Sequence, residues 1–366
     1  MSTDPSLHDA LARSLKKGLT FAAFRRPGTP ITLWAQRQPE IETVEGSLLW
    51  EVNDVFLIAP FLMDDERIAM IRSDVDLSFG EWGPDISALF ECQGEEGEHP
   101  VHFTDTPQAG FIGAVETARS LINSGAIEKV VLSRTRTVLL AREELSGLFL
   151  QACQERPHAF VVLMHTPDHG TWLGASPERL ILAEEDHLRV DALAGTMASD
   201  SAPADPGAWG NKERNEQQLV INSVLDTFTR CGARNTVAFP PEAVGAGEVV
   251  HLRSRIEADL GEGTLSDIVL ALHPTPAVCG TPRDAARGFI LEHEAHERGC
   301  YTGFWGPWNP DGRTELYVNI RCLRHADGKA VIFTGAGITA GSDPQMEWEE
   351  TEQKAQTWLR PIAALH

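Results

Sequence analysis

The chain has 366 residues, of which 42% are hydrophobic and 23% are charged, a balance typical of a globular protein with a sizeable core. Acidic residues outnumber basic ones by 53 to 31, and the formal net charge is −22. Nucleic acids and anionic membranes need a basic surface, so this charge excludes both as partners. An anionic substrate would also be repelled at long range, so its binding site must supply cations of its own.

The start of the chain and its cysteines predict a cytoplasmic protein. Residues 1–17 are polar and include Asp4 and two lysines, which is unlike a secretory signal. The six cysteines are scattered without metal-binding spacing, as is typical of reduced thiols. The longest apolar stretches, such as residues 159–164, are too short to cross a bilayer.

The first hundred residues are predicted to form short strands joined by turns that contain proline and glycine. Residues 19–24 and 31–35 show the clearest hairpin pattern. Asp105 is a candidate cap for a helix over residues 106–124, and Gly125 is its expected end.

From residue 129 onward, predicted strands alternate with long helices. Residues 129–140 are rich in Val and Thr and therefore predict a strand. The later predictions are a helix over 143–155, strands over 159–165, 171–174, 179–183 and 187–193, helices over 211–230 and 282–296, strands over 315–321 and 330–333, and a helix over 344–359 that ends before Pro361. No regular βαβ rhythm is present, so an α+β fold is favoured over a doubly wound sheet.

Two of the predicted helices each carry a pair of glutamates in the opening turns. Glu213 and Glu216 lie three residues apart, as do Glu347 and Glu350, so each pair shares a helix face. For either pair alone, solvated acidic residues favoured by the helix dipole are the simpler interpretation. If the two pairs faced each other they would require a cation, and an all-oxygen ligand set suits Mg²⁺. The spacing leaves both interpretations open.

Eight sequence blocks resemble the chorismate-utilising enzymes, the family of isochorismate synthase, salicylate synthase, anthranilate synthase component I and aminodeoxychorismate synthase. The blocks are KVVLSR (129–134), GASPERL (174–180), ALAGT (192–196), KERNEQQLV (212–220), HPTPAVCGTP (273–282), RGCYTGFWGPWN (298–309), VNIRC (318–322) and GAGITAGSDPQMEWEETEQK (335–354). The resemblance implies one large α+β body of two packed antiparallel or mixed sheets with helices outside. Residues 1–104 would be its variable, strand-rich N-terminal portion, continuous with a catalytic core over residues 105–366.

The same resemblance implies a magnesium site. Glu216 and Glu350 match the family's direct metal ligands, and Glu213 and Glu347 match the carboxylates that hold metal-bound waters. Gln217 departs from the pattern, because the family usually has histidine there, and a weaker affinity for the metal is expected.

Lys129 and Glu178 match the family's general base and general acid. Members that use water carry lysine at the first position, whereas members that use ammonia carry glutamine. A lysine acts as a base only when its amine is neutral, which burial favours, and Glu178 would need a raised pKa to stay protonated. Without the match, Lys129 is a surface lysine at a strand end and Glu178 is a turn residue.

The matched substrate contacts are Gly195, Thr196, His273, Tyr301, Arg321, Gly337 and Lys354. The arginine suits a substrate carboxylate through its bidentate fork, and the glycines allow a close approach of the backbone. His273 precedes a proline and could equally be structural.

The blocks favour water addition to chorismate, giving isochorismate. HPTPAV and Ile320 argue against salicylate synthase, which goes on to eliminate pyruvate. A non-catalytic chorismate-binding protein is a further alternative, but it would have lost Lys129 or Glu178. We expect chorismate as the only partner, no glutaminase subunit and a monomer, while menaquinone and siderophore pathways both stay open.

Overall fold

The computed structural model describes residues 5–63, 67–80, 83–95, 104–246 and 249–365. The α-helices in these ranges are α1 (Pro5–Lys17), α2 (Gln108–Asn123), α3 (Glu144–Glu155), α4 (Asn211–Arg230), α5 (Leu265–Leu272), α6 (Arg283–His293) and α7 (Pro344–Ala363). Short 3₁₀ helices cover Gly46–Glu51, Ser87–Phe90 and Pro206–Ala208. None of the described helices combines the length and apolar composition needed to cross a membrane.

The rest of the regular structure is β-sheet. The strands are β1 (Phe21–Arg25), β2 (Ile31–Ala35), β3 (Glu42–Glu45), β4 (Val55–Ala59), β5 (Arg67–Arg72), β6 (Val75–Phe79), β7 (Lys129–Leu139), β8 (Phe160–Thr166), β9 (Gly170–Ser176), β10 (Arg179–Glu184), β11 (His187–Ala198), β12 (Arg234–Ala238), β13 (Glu242–Ala246), β14 (Val249–Asp259), β15 (Gly280–Thr281), β16 (Phe304–Trp308), β17 (Arg313–Val318), β18 (Cys322–Ala326) and β19 (Lys329–Ile338).

Within the described residues the strands form two large antiparallel sheets. The first runs in the order β15-β7-β19-β18-β9-β8-β1-β2-β6, and the second in the order β12-β14-β11-β10-β17-β16-β4-β5-β3, with β13 also paired to β14. This architecture confirms the α+β fold class. Strands from the first hundred residues complete both sheets: β1, β2 and β6 join the first, and β3, β4 and β5 join the second.

The inner faces of the two sheets pack against each other through large aromatic side chains. Phe160 of the first sheet stacks on Tyr317 of the second, with ring centroids 4.2 Å apart and planes 4° from parallel. Phe24 and Phe56 make a similar contact between the sheets at 5.4 Å. Burying one such ring stabilises the fold by about 1.5–3 kcal/mol, so this layer is a major source of stability.

Helices cover the outer faces, which explains why the central strands are apolar at every position. In β4 (VFLIA), Phe56 and Ile58 belong to the cluster between the sheets, whereas Val55 and Leu57 belong to the cluster under α4 and α5. On the first sheet, α1, α3 and α7 supply the outer layer. A strand covered on both faces has no polar side, so its sequence does not alternate between apolar and polar residues.

Most predicted elements are confirmed, and the deviations have physical causes. Asp105 does not cap α2, because its Oδ1 accepts a hydrogen bond from the backbone N–H of Thr137 at 2.6 Å. The predicted end of α7 before Pro361 is wrong: the helix continues to Ala363, with Pro361 and Ile362 buried. Such packing outweighs the loss of one backbone donor in the last turn. The predicted strand over 315–321 ends at Val318, and α6 ends at His293 rather than 296.

Candidate active site

A cavity lies among β11, β14, β19, α4 and α7. Nine of the residues predicted for the site line it, drawn from six of the eight sequence blocks. They are Glu178, Gly195, Thr196, Glu216, Tyr301, Arg321, Gly337, Glu350 and Lys354. Carboxylates, cationic side chains and glycine backbone line one cavity, and this combination suits acid–base chemistry on an anionic ligand.

Glu178 sits in the turn between β9 and β10, where Pro177 prevents the strand from continuing. Its backbone N–H donates to the hydroxyl of Ser176 at 3.2 Å, and its carbonyl accepts from the N–H of Val318 at 3.0 Å. The side chain is only 5% exposed. Burial raises the pKa of Glu178 to about 8, although the charges of Lys129 and Lys354 act to lower it. Near neutral pH this carboxyl group therefore carries its proton and can donate it.

Lys129 begins β7 and is fully buried, contrary to the simple interpretation as a surface lysine. The short strand β15 pairs on one side, where Thr281 lies opposite Lys129, and β19 pairs on the other. Its Nζ forms an ion pair with Oε1 of Glu216 at 2.8 Å. Lys129 is not itself a lining residue, but its amine contacts the carboxylate of Glu216, which does line the cavity.

Gly337 makes this arrangement possible. A Cβ at position 337 would lie 2.3 Å from Oε1 of Glu216 and 3.1 Å from Cε of Lys129. A side chain at position 337 would therefore have to displace the Glu216 carboxylate, and the glycine lets the ion pair pack directly against the backbone of β19.

Three of the four predicted carboxylates are neutralised by lysines. Besides the Lys129–Glu216 pair, Lys212 Nζ contacts Oε1 of Glu347 at 2.5 Å and Lys354 Nζ contacts Oε1 of Glu350 at 2.6 Å. Burial acts to raise the pKa of Glu216, but the pairing with Lys129 outweighs it, so this pKa is lowered. The pKa of Glu347 is raised, first by burial and then by the negative charge of Glu350.

The donor set suits magnesium in its chemistry, although no group of three or more potential ligand side chains is clustered ready for a metal in the described part of the chain. Glu216 and Glu350, from two different helices, line the same cavity. The repulsion between Glu347 and Glu350 is what an added cation would relieve.

Arg321 is held at the cavity by His251, which the sequence interpretation missed. Nη2 of Arg321 donates to Nε2 of His251 at 3.2 Å, so the other ring nitrogen, Nδ1, carries the proton and faces the Thr196 hydroxyl at 3.1 Å. Burial, followed by the charges of Arg321 and Lys354, lowers the pKa of His251 well below its usual range. A neutral His251 therefore bridges two predicted substrate contacts. The observation that identifies His251 as a site residue is the pairing of β11 with β14, which places His251 opposite Thr196.

Gly195 occupies a break in the pairing of β11 with β14, between Ala194 and Thr196. Its φ is +68°, which favours glycine, and a Cβ there would meet the carbonyl oxygen of Glu213 at 3.0 Å. The bulge turns the following Thr196 toward the cavity and lets the start of α4 approach.

Four predicted site residues do not line the cavity. Lys129 and Glu347 lie behind its wall in ion pairs with Glu216 and Lys212, and the other two, His273 and Glu213, face elsewhere. Nε2 of His273 faces the carbonyl oxygens of Pro60 and Phe61 at 3.1 and 3.3 Å, which fits the structural alternative for this residue. The Glu213 carboxylate turns back to the start of its own helix, where a Cβ on Gly210 would lie 2.5 Å from its Oε2. Gln217 donates to the carbonyl of Ala192 at 3.0 Å and so fastens α4 to β11.

A buried protonated acid and a buried amine at one cavity define an acid–base enzyme site for an anionic small molecule. The family model described as chorismate binding enzyme matches residues 87–363. The chain therefore belongs to the chorismate binding enzyme family, as its sequence blocks predicted.

Characterised relatives and solved structures agree with this assignment. Isochorismate synthase DhbC of Bacillus subtilis (strain 168) is 28% identical over 301 residues, which cover 78% of this chain and 76% of the relative. Isochorismate synthase MenF of Escherichia coli (strain K12) is 31% identical over 271 residues, covering 70% of this chain and 62% of the relative. The structure of MenF, the menaquinone-specific isochorismate synthase from Escherichia coli, aligns with a TM-score of 0.76 at 23% identity, covering 98% of this chain and 91% of MenF. Anthranilate synthase component I of Streptococcus pneumoniae TIGR4 aligns with a TM-score of 0.69 at 21% identity, covering 92% of this chain and 90% of its own, so the fold is shared across the family.

Proposed function

We propose that the protein is an isochorismate synthase, which converts chorismate to isochorismate by adding water at C2 with loss of the 4-hydroxyl group. The observation that carries this proposal is the pairing of Glu178, a buried acid with a pKa raised to about 8, with the buried amine of Lys129 at one cavity. Hydration with loss of a hydroxyl requires one group that gives a proton and one that takes a proton.

Glu178 acts as the general acid. Because its carboxyl group is protonated near neutral pH, it can protonate the 4-hydroxyl group as the carbon–oxygen bond breaks. An exposed glutamate would be ionised and could not do this. The backbone hydrogen bonds of Glu178 to Ser176 and Val318 hold the turn from which the acid projects.

Lys129 acts as the general base toward the attacking water. Its Nζ lies 2.8 Å from Oε1 of Glu216, so the proposed base stands directly beside a proposed metal ligand. Lysine supports a choice of water over ammonia as nucleophile, since ammonia needs no base.

Magnesium is the proposed cofactor, held by Glu216 and Glu350 with Glu347 nearby; when bound, it would supply Lewis-acid polarisation of the substrate carboxylate. Arg321 and Lys354 contribute positive charge from the protein itself. These local cations offset the field of a chain with a net charge of −22. The neutral His251 directs Arg321 without adding a competing charge.

We further infer a cytoplasmic monomer whose product feeds menaquinone or siderophore biosynthesis. The six cysteines are all free, which supports a reducing compartment.

The direct test is to incubate the full chain with chorismate and Mg²⁺ and to separate isochorismate, salicylate and pyruvate by chromatography. Isochorismate without salicylate or pyruvate is the expected result, and Glu178→Gln serves as the inactive control. Salicylate and pyruvate in equal amounts would instead identify a salicylate synthase. Unchanged chorismate with intact, magnesium-loaded protein would refute the enzymatic proposal.

A further inference from the structure

Arg321 lines a second cavity as well as the active site. This groove, partly open to solvent, lies between the end of α3 and the last turns of α7. Glu155 and Arg156 border it from α3, and Gln356, Thr357 and Arg360 border it from α7. Arg321, 8% exposed, is thus shared between two cavities.

The groove is basic, which is unexpected in a chain with a net charge of −22. Three arginines and one carboxylate line it, together with side-chain amides and a hydroxyl group. Guanidinium groups and amides are donors that match the oxygens of carboxylates and phosphates.

Hydrogen bonds connect the groove to the active site through Arg321. Its Nη1 donates to the Thr357 hydroxyl in the groove wall at 3.3 Å, and its Nη2 donates to His251 at 3.2 Å. Arg156 Nη2 donates to the carbonyl of Thr357 at 2.8 Å, which ties α3 to the same turn of α7. Burial lowers the pKa of Arg321 to about 10, and the positive charge of Arg156 also lowers it, so an anion between them would be stabilised by both.

We propose that this groove is a regulatory site for a small doubly charged oxyanion, which weakens substrate binding by competing for Arg321. One guanidinium group cannot donate its full set of hydrogen bonds to an anion in the groove and to a substrate carboxylate in the active site. Coupling of this kind is reciprocal, so substrate must also weaken binding of the groove anion. The inhibition is therefore partial and saturable, unlike that of a ligand in the substrate cavity.

Direct binding is measured first, since it does not depend on the proposed function. Malonate and inorganic phosphate are each titrated into the full chain by calorimetry, with chloride at matched ionic strength as the reference. We expect Arg360→Gln to weaken binding at least about tenfold, because it removes one guanidinium group. Arg287→Gln is the matched control, an exposed helical arginine on α6 paired with Asp284 at 3.2 Å. The tighter of the two probes identifies the natural ligand as a dicarboxylate or a phosphate.

The kinetic arm rests on the proposed function. Saturating anion should raise the KM for chorismate about fivefold or more and then reach a plateau, with kcat nearly unchanged, and Arg360→Gln should abolish this effect. Absence of binding by both probes, or binding that is equal in Arg360→Gln and wild type, would overturn the proposal. So would competitive inhibition without a plateau that survives in Arg360→Gln, since the anion would then occupy the substrate cavity. A chain that binds anions at Arg360 but does not turn over chorismate would refute the proposed function alone.

Discussion

Glu178→Gln should abolish turnover and, at the same time, make the protein more stable near neutral pH. The carboxyl group of Glu178 has a pKa raised from 4.5 to about 8 by burial. The folded state therefore keeps a proton that the unfolded state releases. This contribution to stability is fully present below the unfolded pKa and is lost as the pH rises through the folded pKa. Glutamine has nearly the same shape and no charge in either state, so the variant avoids that loss.

The magnitude follows from the difference in pKa. Each pH unit between the two pKa values is equivalent to about 1.4 kcal/mol, so near pH 7 the variant should gain about 3 kcal/mol relative to wild type. A changed hydrogen bond in the variant could shift this by about 1 kcal/mol at every pH, so the slope is the quantity to measure. Urea unfolding of both proteins near pH 5 and near pH 8 gives that slope directly.

Glu315→Gln is the matched control. Glu315 is equally buried, but its pKa is lowered because hydrogen bonds and charges from Tyr317, Arg179 and Arg313 outweigh burial. The ionised Glu315 carboxylate therefore contributes to stability above its unfolded pKa, and this contribution is lost only as the pH falls through its folded pKa. Glu315→Gln should be destabilised by the same amount at about pH 5 and about pH 8. If the stability difference between Glu178→Gln and wild type were equally independent of pH, Glu178 would be ionised in the fold and could not be the acid.

Four further substitutions test the site. Lys129→Gln should lower kcat at least about a hundredfold in an isochorismate assay, with unchanged circular dichroism, because no other base is in place; wild-type turnover would remove Lys129 from the mechanism. Glu350→Ala should abolish activation in a Mg²⁺ titration, and a normal magnesium response would contradict its assignment as a ligand. Gly337→Ala should lower kcat more than about tenfold while thermal unfolding still shows a folded protein, because the new methyl group displaces the Glu216 carboxylate. His251→Ala should raise the KM for chorismate about tenfold with little change in kcat, the loss expected for one hydrogen bond to a charged group; an effect on kcat alone would show that His251 does not act through Arg321.

Patterns of neighbouring residues in the sequence predicted some helices and missed others. Helix α4 was predicted with its observed bounds, Asn211–Arg230, because its apolar positions recur at helical spacing. Helix α1 was missed, although Leu7, Leu11 and Leu15 repeat every four residues and are buried. The cap of α2 was missed for a different reason: Asp105 is bonded to a distant strand, and nothing near it in the sequence shows that contact.

The candidate site likewise has features that the sequence predicted and features that it did not. Its residue types were predicted through the family blocks, but their ion pairs depend on contacts between distant parts of the chain. Lys212 pairs with Glu347 across 135 residues, and no spacing rule connects the two. His251 reaches Thr196 only because of the register between β11 and β14. The burial of Lys129 likewise results from strands on both sides of β7.

The origin of the new hydroxyl group tests the central claim most directly. Purified protein is incubated with chorismate and Mg²⁺ in water enriched in oxygen-18, and the isochorismate formed is analysed by mass spectrometry. Attack by water activated at Lys129, with departure of the hydroxyl group protonated by Glu178, predicts one heavy oxygen atom per labelled product molecule, in a fraction of the product equal to the enrichment of the water. Isochorismate that retains only the original oxygen atoms would show that the hydroxyl group migrates within the substrate, and the roles of Lys129 and Glu178 would both be contradicted.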